Sequence, residues 1–268
     1  MVTRPAKLLI ITVILLLLMP VMVSAAIFAA ELSADNVSVD INGTVYYENE
    51  QLLINGVTYV QYDDYLNAAS ADKKIDFEVS INTDYNCIIA NDRYIYYGEN
   101  SLDIDGILYL PIRTVSKIIG ADITWDGSAN KVSVTSGDYI ESGDTFYDYD
   151  DLYWLSRIIY AESGAEPFEG KLAVGTVIMN RVASADFPND IYGVIFDSEH
   201  GVQFPPAMNN RIYIAPDEEC VTAAKICLDG YRTDTEILYF LDESLATNKW
   251  IVTNRDYSLT IGCHDFYS

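Results

Sequence analysis

The stretch that decides the fold of the C-terminal half reads IYAESGAEPFEGKLAVG and runs from Ile159 to Gly175. Before it, apolar residues recur with the spacing of one helical face, which predicts a helix that ends at about Ala161 or Glu162. Ser163 and Gly164 should break that helix, with Gly164 as the left-handed residue that follows it. Pro167 is typical of the first position of a second helix. Glu162 is therefore expected where a helix runs out into a loop.

That position is chemically useful for Glu162. The negative end of the helix dipole disfavours a charged carboxylate there, and the apolar neighbours Ile159, Tyr160 and Ala161 act in the same direction by desolvation. A carboxyl group that stays protonated near neutral pH can serve as a general acid toward a glycosidic oxygen. The alternative is a solvated helix-end glutamate, which is what most glutamates are.

Glu166 is a second candidate carboxylate. It stands immediately before Pro167, so a helix-capping role is the strong alternative, and Glu169 in the first helical turn has the same alternative. Further along, the patterns predict a helix over 217–228 and strands at 236–240, 249–252 and 258–261.

The wider pattern resembles the SleB-type cell-wall hydrolase family, which includes spore cortex-lytic enzymes. The similarity starts with the stretch quoted above and spans residues 151–268. Its later blocks are Val177–Val182, Phe187–Asn189, Gly193–Ile195, Gln203–Phe204, Ala223–Lys225, Leu238–Phe240, Asn248–Ile251 and Ile261–Tyr267. The resemblance implies a lysozyme-like, mainly helical domain with a small β element, and it implies that Glu162 is the catalytic acid.

The resemblance also implies the reaction, which is lytic transglycosylase cleavage of peptidoglycan between N-acetylmuramic acid and N-acetylglucosamine. One carboxyl group suffices for that chemistry, whereas ordinary glycosidases use two. The sequence departs from the family between its two glutamates, where Ser163-Gly164-Ala165 replaces Ala-Arg-Gly. The missing basic residue puts a charge partner for Glu162 in doubt.

Five more residues are candidates for substrate binding. Gln203 and Phe204 lie in a proline-rich loop suited to gripping N-acetyl groups and sugar faces, or they are plain loop anchors. Tyr239 and Trp250 are expected to line the cleft, unless they are core residues. His264 either hydrogen-bonds near the site or is a structural histidine, and the structural reading is favoured.

The N-terminal half contains an internal repeat with an offset of 50 residues. Residues 53–60 (LINGVTYV) are echoed by 103–110 (DIDGILYL), each copy has an Asn-Gly or Asp-Gly turn signal, and each continues into a short helical segment. The second copy and Trp125-Asp126-Gly127 resemble the copper amine oxidase N-terminal-like module. Residues 31–138 contain no histidine, so this half lacks the usual copper ligand. Spacing or wall attachment is its expected role.

Two further features of this half have more than one interpretation. Trp125 could stack on sugars, but a core position is favoured. Asp103 and Asp105 could suggest a calcium loop, but a turn explains them better because the remaining acids of an EF-hand are absent.

The expected fold class is α+β, with a duplicated β-rich module followed by a lysozyme-like helical domain. The boundaries are a signal peptide or membrane anchor at 1–30, the module at 31–138, a linker at 139–150 and the hydrolase domain at 151–268. Arg4 and Lys7 before the apolar run 8–19 are typical of an export signal. A secreted or wall-associated protein is expected, which touches the membrane only if that segment stays uncleaved.

Charge and cysteine content limit the remaining options. The formal net charge of −24 argues against a nucleic-acid partner. Cys220 and Cys227 are about 10 Å apart on one predicted helix, too far to pair with each other; Cys263 could reach one of them, or the thiols are free. We expect no cofactor, no metal site, a peptidoglycan partner and a monomer. The alternatives are a non-catalytic wall-binding protein, a muramidase and an amidase.

Overall fold

The computed structural model describes residues 37–47, 51–71, 73, 75–98, 100–198, 202–246 and 248–268. The predicted signal at 1–30 lies outside the described residues. No helix in the part of the chain that the structure describes is long and apolar enough to cross a membrane. The chain forms two compact units: unit one is 1–75 with 100–139, and unit two is 76–99 with 140–268.

Unit one contains two four-stranded sheets and short helices. Its strands are β1 (Ser38–Ile41), β2 (Thr44–Tyr47), β3 (Leu52–Ile54), β4 (Val57–Gln61), β8 (Leu102–Ile104), β9 (Ile107–Pro111), β10 (Asp122–Asp126) and β11 (Lys131–Thr135). The helices are α1 (Tyr62–Ala69) and α2 (Ile112–Ser116), the latter extended by a 3₁₀ turn over Lys117–Ile119. The strand orders are β10-β11-β1-β2 and β3-β4-β9-β8, with β1 and β11 parallel.

The internal repeat becomes two equivalent hairpins that share one sheet. Strand β3 pairs with β4, β8 pairs with β9, and the inner strands β4 and β9 join the copies, with Val60 opposite Leu110. The side chains of Tyr65 and Ser116, on the helices of the two copies, share a buried hydrogen bond. The duplicated module is therefore built around a common core.

The predicted tight turns are confirmed. Asn55 and Gly56 both have positive φ (50° and 78°), and so do Asp105 and Gly106 (55° and 81°), as a two-residue turn of type I′ requires. The Asp103 carboxylate accepts a hydrogen bond from the backbone N–H of Gly106 at 2.9 Å. The acids of this segment thus stabilise a turn.

Unit two is mainly helical. Its helices are α3 (Gly143–Phe146), α4 (Tyr149–Ser163), α5 (Phe168–Ala183), α6 (Ile191–Phe196), α7 (Glu218–Leu228) and α8 (Trp250–Asn254), with 3₁₀ turns at Pro205–Met208 and Arg211–Tyr213. Helices α4, α5 and α7 pack around fully buried apolar side chains such as Leu155, Ile159, Val177 and Ile226. The mixed α+β class, with a β-rich front and a helical back, is confirmed.

Two small sheets complete unit two. Strands β12 (Tyr239–Leu241), β13 (Tyr257–Ile261) and β14 (His264–Tyr267) form an antiparallel sheet in the order β12-β14-β13. Strands β5 (Val79–Asn82), β6 (Cys87–Ala90) and β7 (Arg93–Tyr96) form the other. This second sheet comes from the middle of the N-terminal half of the sequence, yet it belongs to the helical unit.

Specific contacts attach the β5–β7 sheet to the helices. The Arg93 guanidinium donates two hydrogen bonds to the Asp229 carboxylate, at 2.6 and 2.8 Å, and both side chains are largely buried. The ring of Tyr85 packs against Phe168 with centroids 4.7 Å apart. Cys87 lies in the same buried cluster as the core of α4 and α5. Residues 76–99 are therefore a structural part of unit two.

The segment interpreted as a linker also contributes to unit two. Within 139–150, helix α3 forms, and Tyr147 is 8% exposed with its hydroxyl 3.1 Å from the Asp229 carboxylate. Where one family segment ends and the next begins stays a prediction, because compact units and family segments need not coincide.

Three local expectations were wrong. The segment around Trp250 is a helix, Trp250–Asn254, and the Asn248 side chain accepts a hydrogen bond from the backbone N–H of Trp250 at 2.9 Å. Gly164 has φ −57°, a right-handed value. Trp125 is 46% exposed on strand β10 and is not a core residue. All the cysteines are free thiols, and Cys263 is the exposed one.

Candidate functional site

Helix α4 carries Glu162 one residue before its end. The Asp148 carboxylate caps the start of the helix by accepting the backbone N–H groups of Asp150 and Asp151 at 2.9 and 3.1 Å. At the other end, the Ser163 hydroxyl donates to the Ile159 carbonyl at 2.7 Å. The Glu162 side chain therefore extends from the last, hydrogen-bonded turn of α4.

Gly164 fits this place because of close packing. A Cβ atom there would lie 2.6 Å from the Tyr160 carbonyl oxygen and 3.2 Å from the Tyr160 ring. Glycine is therefore needed for the approach of the chain to Tyr160, while its dihedral angles suit any residue.

An open pocket of about 470 Å³ surrounds the end of α4. Its lining residues are Tyr160, Ala161, Glu162, Gly164, Ala165, Arg211, Ile214 and Asp217. The second wall comes from the loop that contains the 3₁₀ turn Arg211–Tyr213 and leads into α7. This loop is about 50 residues away in sequence, and the fold returns it to the carboxyl end of α4.

The Glu162 carboxyl group is poised between its two protonation states. Its Oε1 atom is buried and has no hydrogen-bond partner among the described residues. Burial raises the pKa of Glu162 to about 7, and the positive charge of Arg211 opposes that rise. A carboxyl group in this state is a proton donor below neutral pH and a proton acceptor above it.

Arg211 is the basic neighbour that the sequence left in doubt. Its guanidinium donates to the Ala161 carbonyl oxygen at 3.2 Å, while the side chain remains exposed toward the pocket. The positive charge near Glu162 therefore comes from a loop that is distant in sequence, and not from a residue next to Glu162 in the chain. Asp217 also lines the pocket, with one carboxylate oxygen accepting the backbone N–H of Cys220 at 2.8 Å as the cap of α7.

Glu166 does not line this pocket. Its carboxylate accepts the backbone N–H of Cys263 at 2.9 Å, in the turn between β13 and β14. The turn glycine, Gly262, has φ +58°, and a Cβ there would lie 1.9 Å from the Glu166 carboxylate. Glu166 thus ties the loop before α5 to the C-terminal hairpin, and its role in substrate binding stays a prediction.

Three of the predicted binding residues meet around a buried arginine that the sequence reasoning missed. Arg181, on α5, is 4% exposed and donates to the Gln203 side-chain oxygen at 3.2 Å. Its guanidinium carbon lies 5.1 Å from the Phe204 ring centre and 5.3 Å from that of Tyr239. Burial lowers the pKa of Arg181 to about 10. The regular spacing of apolar residues along α5 did not indicate that Arg181 is buried and contacts several predicted binding residues.

Trp250 and His264 occupy separate surroundings. Trp250 is 48% exposed, and the Arg255 guanidinium lies 5.1 Å from its ring centre and 4.5 Å from that of Tyr239. His264 is buried with its ring centre 5.2 Å from that of Phe240, and burial lowers its pKa. Neither residue lines the pocket around Glu162, and their substrate contacts stay predictions.

Comparisons with known proteins find a family match in each half of the chain. Residues 165–267 match the family described as Cell Wall Hydrolase, and residues 58–134 match the Copper amine oxidase N-terminal domain. The first match begins three residues after Glu162. Both resemblances seen in the sequence are confirmed.

The relatives include spore cortex-lytic enzymes. That of Bacillus cereus is 35% identical over 137 residues, which are 51% of this chain and 50% of the relative. That of Bacillus subtilis is 33% identical over 120 residues, 45% of this chain and 38% of the relative. The chain spans about half the length, or less, of these curated relatives. Among solved structures, the catalytic domain of the germination-specific lytic transglycosylase SleB from Bacillus anthracis is 35% identical, with a TM-score of 0.42, covering 48% of this chain and 100% of that one.

Proposed function

We propose that this chain, whose residues 165–267 match the cell wall hydrolase family, cleaves the glycan strands of peptidoglycan as a lytic transglycosylase. The bond cut is the one between N-acetylmuramic acid and N-acetylglucosamine. The observation that carries the proposal is the buried, unpartnered Oε1 of Glu162 beside an open pocket, with a pKa of about 7.

Glu162 acts twice in this reaction. Its protonated carboxyl group donates the proton to the glycosidic oxygen as the bond from that oxygen to C1 of the muramic acid breaks. The resulting carboxylate then accepts the proton of the 6-hydroxyl group on the same sugar, whose oxygen bonds to C1. The products are a 1,6-anhydro ring and a free hydroxyl on the leaving sugar, and Glu162 is protonated again.

Arg211 supports the step in which Glu162 is negative. Its positive charge stabilises the carboxylate that forms after proton donation, while burial stabilises the protonated acid. The two opposed effects keep both forms accessible near neutral pH. That balance suits a group that must give a proton and take one back within a single turnover.

A muramidase is the second candidate, and Asp217 is the observation that favours it. Asp217 is the other carboxylate that lines the pocket, and a hydrolytic mechanism needs a second carboxylate to bind water or attack the sugar. Asp217 also caps α7, where one of its carboxylate oxygens accepts the backbone N–H of Cys220. The transglycosylase remains the better supported reading because it requires Glu162 alone.

Product analysis of purified cell walls tests the proposal. The wild-type protein should release muropeptides that end in 1,6-anhydro-muramic acid, detected by mass spectrometry, and Glu162→Gln should release none. Asp217→Asn keeps a helix cap of equal quality and should keep the anhydro products. Products with reducing-end muramic acid that disappear in Asp217→Asn would establish a muramidase.

Two other outcomes would replace the proposal. Cleaved stem peptides with intact glycan strands would identify an amidase or peptidase. Wall binding with no cleavage at any pH would identify a non-catalytic wall protein. The substrate lies outside the cytoplasm, so we propose that the protein works there, with unit one as the wall-facing or spacing module and the protein acting as a monomer.

A further inference from the structure

A connected group of aromatic side chains lies along α4 and its neighbours, and we name it the aromatic platform. It consists of Tyr149, Tyr153, Trp154, Tyr192, Phe196 and Tyr213. The Trp154 ring is central, with ring centroids 5.3 Å from Tyr192, 5.3 Å from Phe196 and 6.2 Å from Tyr213.

Much of this aromatic surface faces solvent. Tyr149 is 77% exposed, Tyr213 56% and Tyr192 52%. A clustered exposed apolar surface on a soluble domain commonly marks a binding site, whereas single exposed apolar residues need no explanation. Trp154 and Phe196 pack against the core of unit two, whereas these three exposed tyrosines are not among the residues that do.

The platform is continuous with the pocket around Glu162. Trp154, Arg157 and Ala161 follow each other at spacings of three and four residues, so they form one stripe along α4. Ala161 lines the pocket. The rise of a helix places Trp154 about 12 Å from Glu162 along the axis.

The 3₁₀ turn Arg211–Tyr213 joins the two places a second time. Arg211 contacts the pocket end of the stripe through the Ala161 carbonyl oxygen. Two residues later, Tyr213 contacts the platform end through the Trp154 ring. A ligand that lies along α4 would therefore meet the same two elements in the pocket and on the platform.

Arg157 lies on α4 between the two ends. Its guanidinium carbon lies 3.8 Å from the centre of the Tyr153 ring. Its Nε atom is buried and has no hydrogen-bond acceptor in the described part of the chain. Arg157 therefore packs against the platform through the Tyr153 ring, and its buried Nε does not face a ligand on the surface.

The charge around the platform indicates which ligand it fits. The carboxylates of Asp148, Asp150 and Asp190 lie close enough to Asp151 to raise its pKa, after burial, which is the largest cause. An acidic rim repels phosphates and anionic lipid headgroups. It accepts hydrogen bonds from hydroxyl and amide groups, and aromatic faces pack on the apolar faces of sugar rings.

We propose that the aromatic platform binds sugar residues of the glycan strand that lie beyond those held at the cleavage pocket. The inference rests on the proposed function for the identity of the polymer. A separation of about 12 Å exceeds the width of one sugar ring, so only strands long enough to reach from Glu162 to Trp154 gain these contacts. Binding energy from such remote contacts favours long strands over short fragments.

Binding measurements with the full chain in the Glu162→Gln background test the inference without cleavage. The probes are peptide-free glycan strands prepared from peptidoglycan, with the lactyl carboxyl groups of their muramic acids converted to neutral methylamides, fractionated from disaccharides upward. Affinity should rise with strand length, and Tyr192→Ala/Tyr213→Ala should lose about tenfold for long strands, which abolishes the rise. Tyr192→Phe/Tyr213→Phe keeps the rings and should keep the rise. Tyr257→Ala, which removes a tyrosine of similar exposure (59%) on β13, is the matched control.

The outcomes separate this inference from the proposed function. Unchanged affinity of the double alanine variant for long strands would overturn the platform, even if the wild type forms anhydro products. A gain seen only with peptide-bearing strands would assign the platform to stem peptides and would also overturn it. A length-dependent gain that the variant loses supports the platform, even if product analysis shows another cleavage reaction.

Discussion

The guanidinium of Arg211 donates a hydrogen bond of 3.2 Å to the carbonyl oxygen of Ala161, the residue immediately before Glu162. This contact brings a cation from a distant loop to the end of α4, where burial alone would hold Glu162 strongly protonated. The pKa of the acid is thus set by two parts of the chain that meet only in the folded protein.

The first prediction concerns the pH dependence of cleavage. A general acid must be protonated, so kcat/KM should fall about tenfold per pH unit above the Glu162 pKa of about 7. Arg211→Met removes the charge that lowers this pKa, so the descending limb should move to higher pH. The measurement is the pH profile of anhydro-product release by each protein.

Arg211→Lys is the control for that profile because it keeps the positive charge. Its descending limb should stay near that of the wild type. A limb that does not move in Arg211→Met would show that Arg211 does not set the protonation of the acid.

The second prediction concerns stability. The folded-state pKa of Glu162, about 7, lies above its ordinary value of 4.5, so the folded state retains the proton longer than the unfolded chain does. Stability therefore falls as pH rises from about 4.5 through 7. Glu162→Gln has no charge to bury and should be more stable than the wild type by about 1–3 kcal/mol at pH 8, with no gain at pH 4.

Urea unfolding at both pH values measures this difference in the free energy of unfolding. Glu169→Gln, on an exposed side chain, is the control and should show no such difference. An equal gain at both pH values would contradict the charge explanation.

The third prediction concerns the attachment of the β5–β7 sheet. Arg93→Met leaves the buried Asp229 carboxylate without its cation and should lower the free energy of unfolding by about 3 kcal/mol. Lys249→Met breaks an ion pair whose side chains are about half exposed, and the loss there should stay below about 1 kcal/mol. Equal effects of the two substitutions in urea unfolding would mean that the Arg93 pair does not hold the sheet.

The fourth prediction concerns the turn between β13 and β14. Gly262→Ala forces a side chain into a left-handed conformation and against the Glu166 carboxylate, and should destabilise the protein by about 2–3 kcal/mol. Gly230→Ala has the same conformational problem with nothing within 4 Å, and should cost about 1 kcal/mol. The difference between their melting temperatures reports the Glu166 contact. If the two variants melt together, the contact contributes nothing to stability.

Local patterns predicted much of the fold. The helical spacing before Glu162, the helix predicted over 217–228 and the paired turns at Asn55 and Asp105 all depend on neighbouring residues, so they are visible in the sequence. Helix α8 was missed because Trp250, Ile251 and Val252 are residue types typical of a strand. Local rules therefore fail where the folded surroundings outweigh the intrinsic preference of the residues.

Of the two walls of the pocket, only the one formed by the end of α4 was predictable from the sequence. The helix-end position of Glu162 follows from α4 alone, but Arg211, Ile214 and Asp217 reach the pocket through the path of a loop that carries no strong motif. Arg181 was missed because charged residues mostly lie on the protein surface, so the burial of this one on α5 is not visible in the sequence. These placements depend on tertiary packing, which spacing along the chain does not encode.

The interleaved order of the two units has a consequence for synthesis on the ribosome. The β5–β7 strands emerge from the ribosome long before the helices that cover them. The partner of Arg93, Asp229, lies 136 residues further along the chain. Contacts of such long sequence separation slow folding because a large loop must close first. The apolar face of these strands, including Cys87, stays uncovered until α4, α5 and α7 have been made. We therefore expect unit two to fold only after these helices are available, and to depend on protection from aggregation until then.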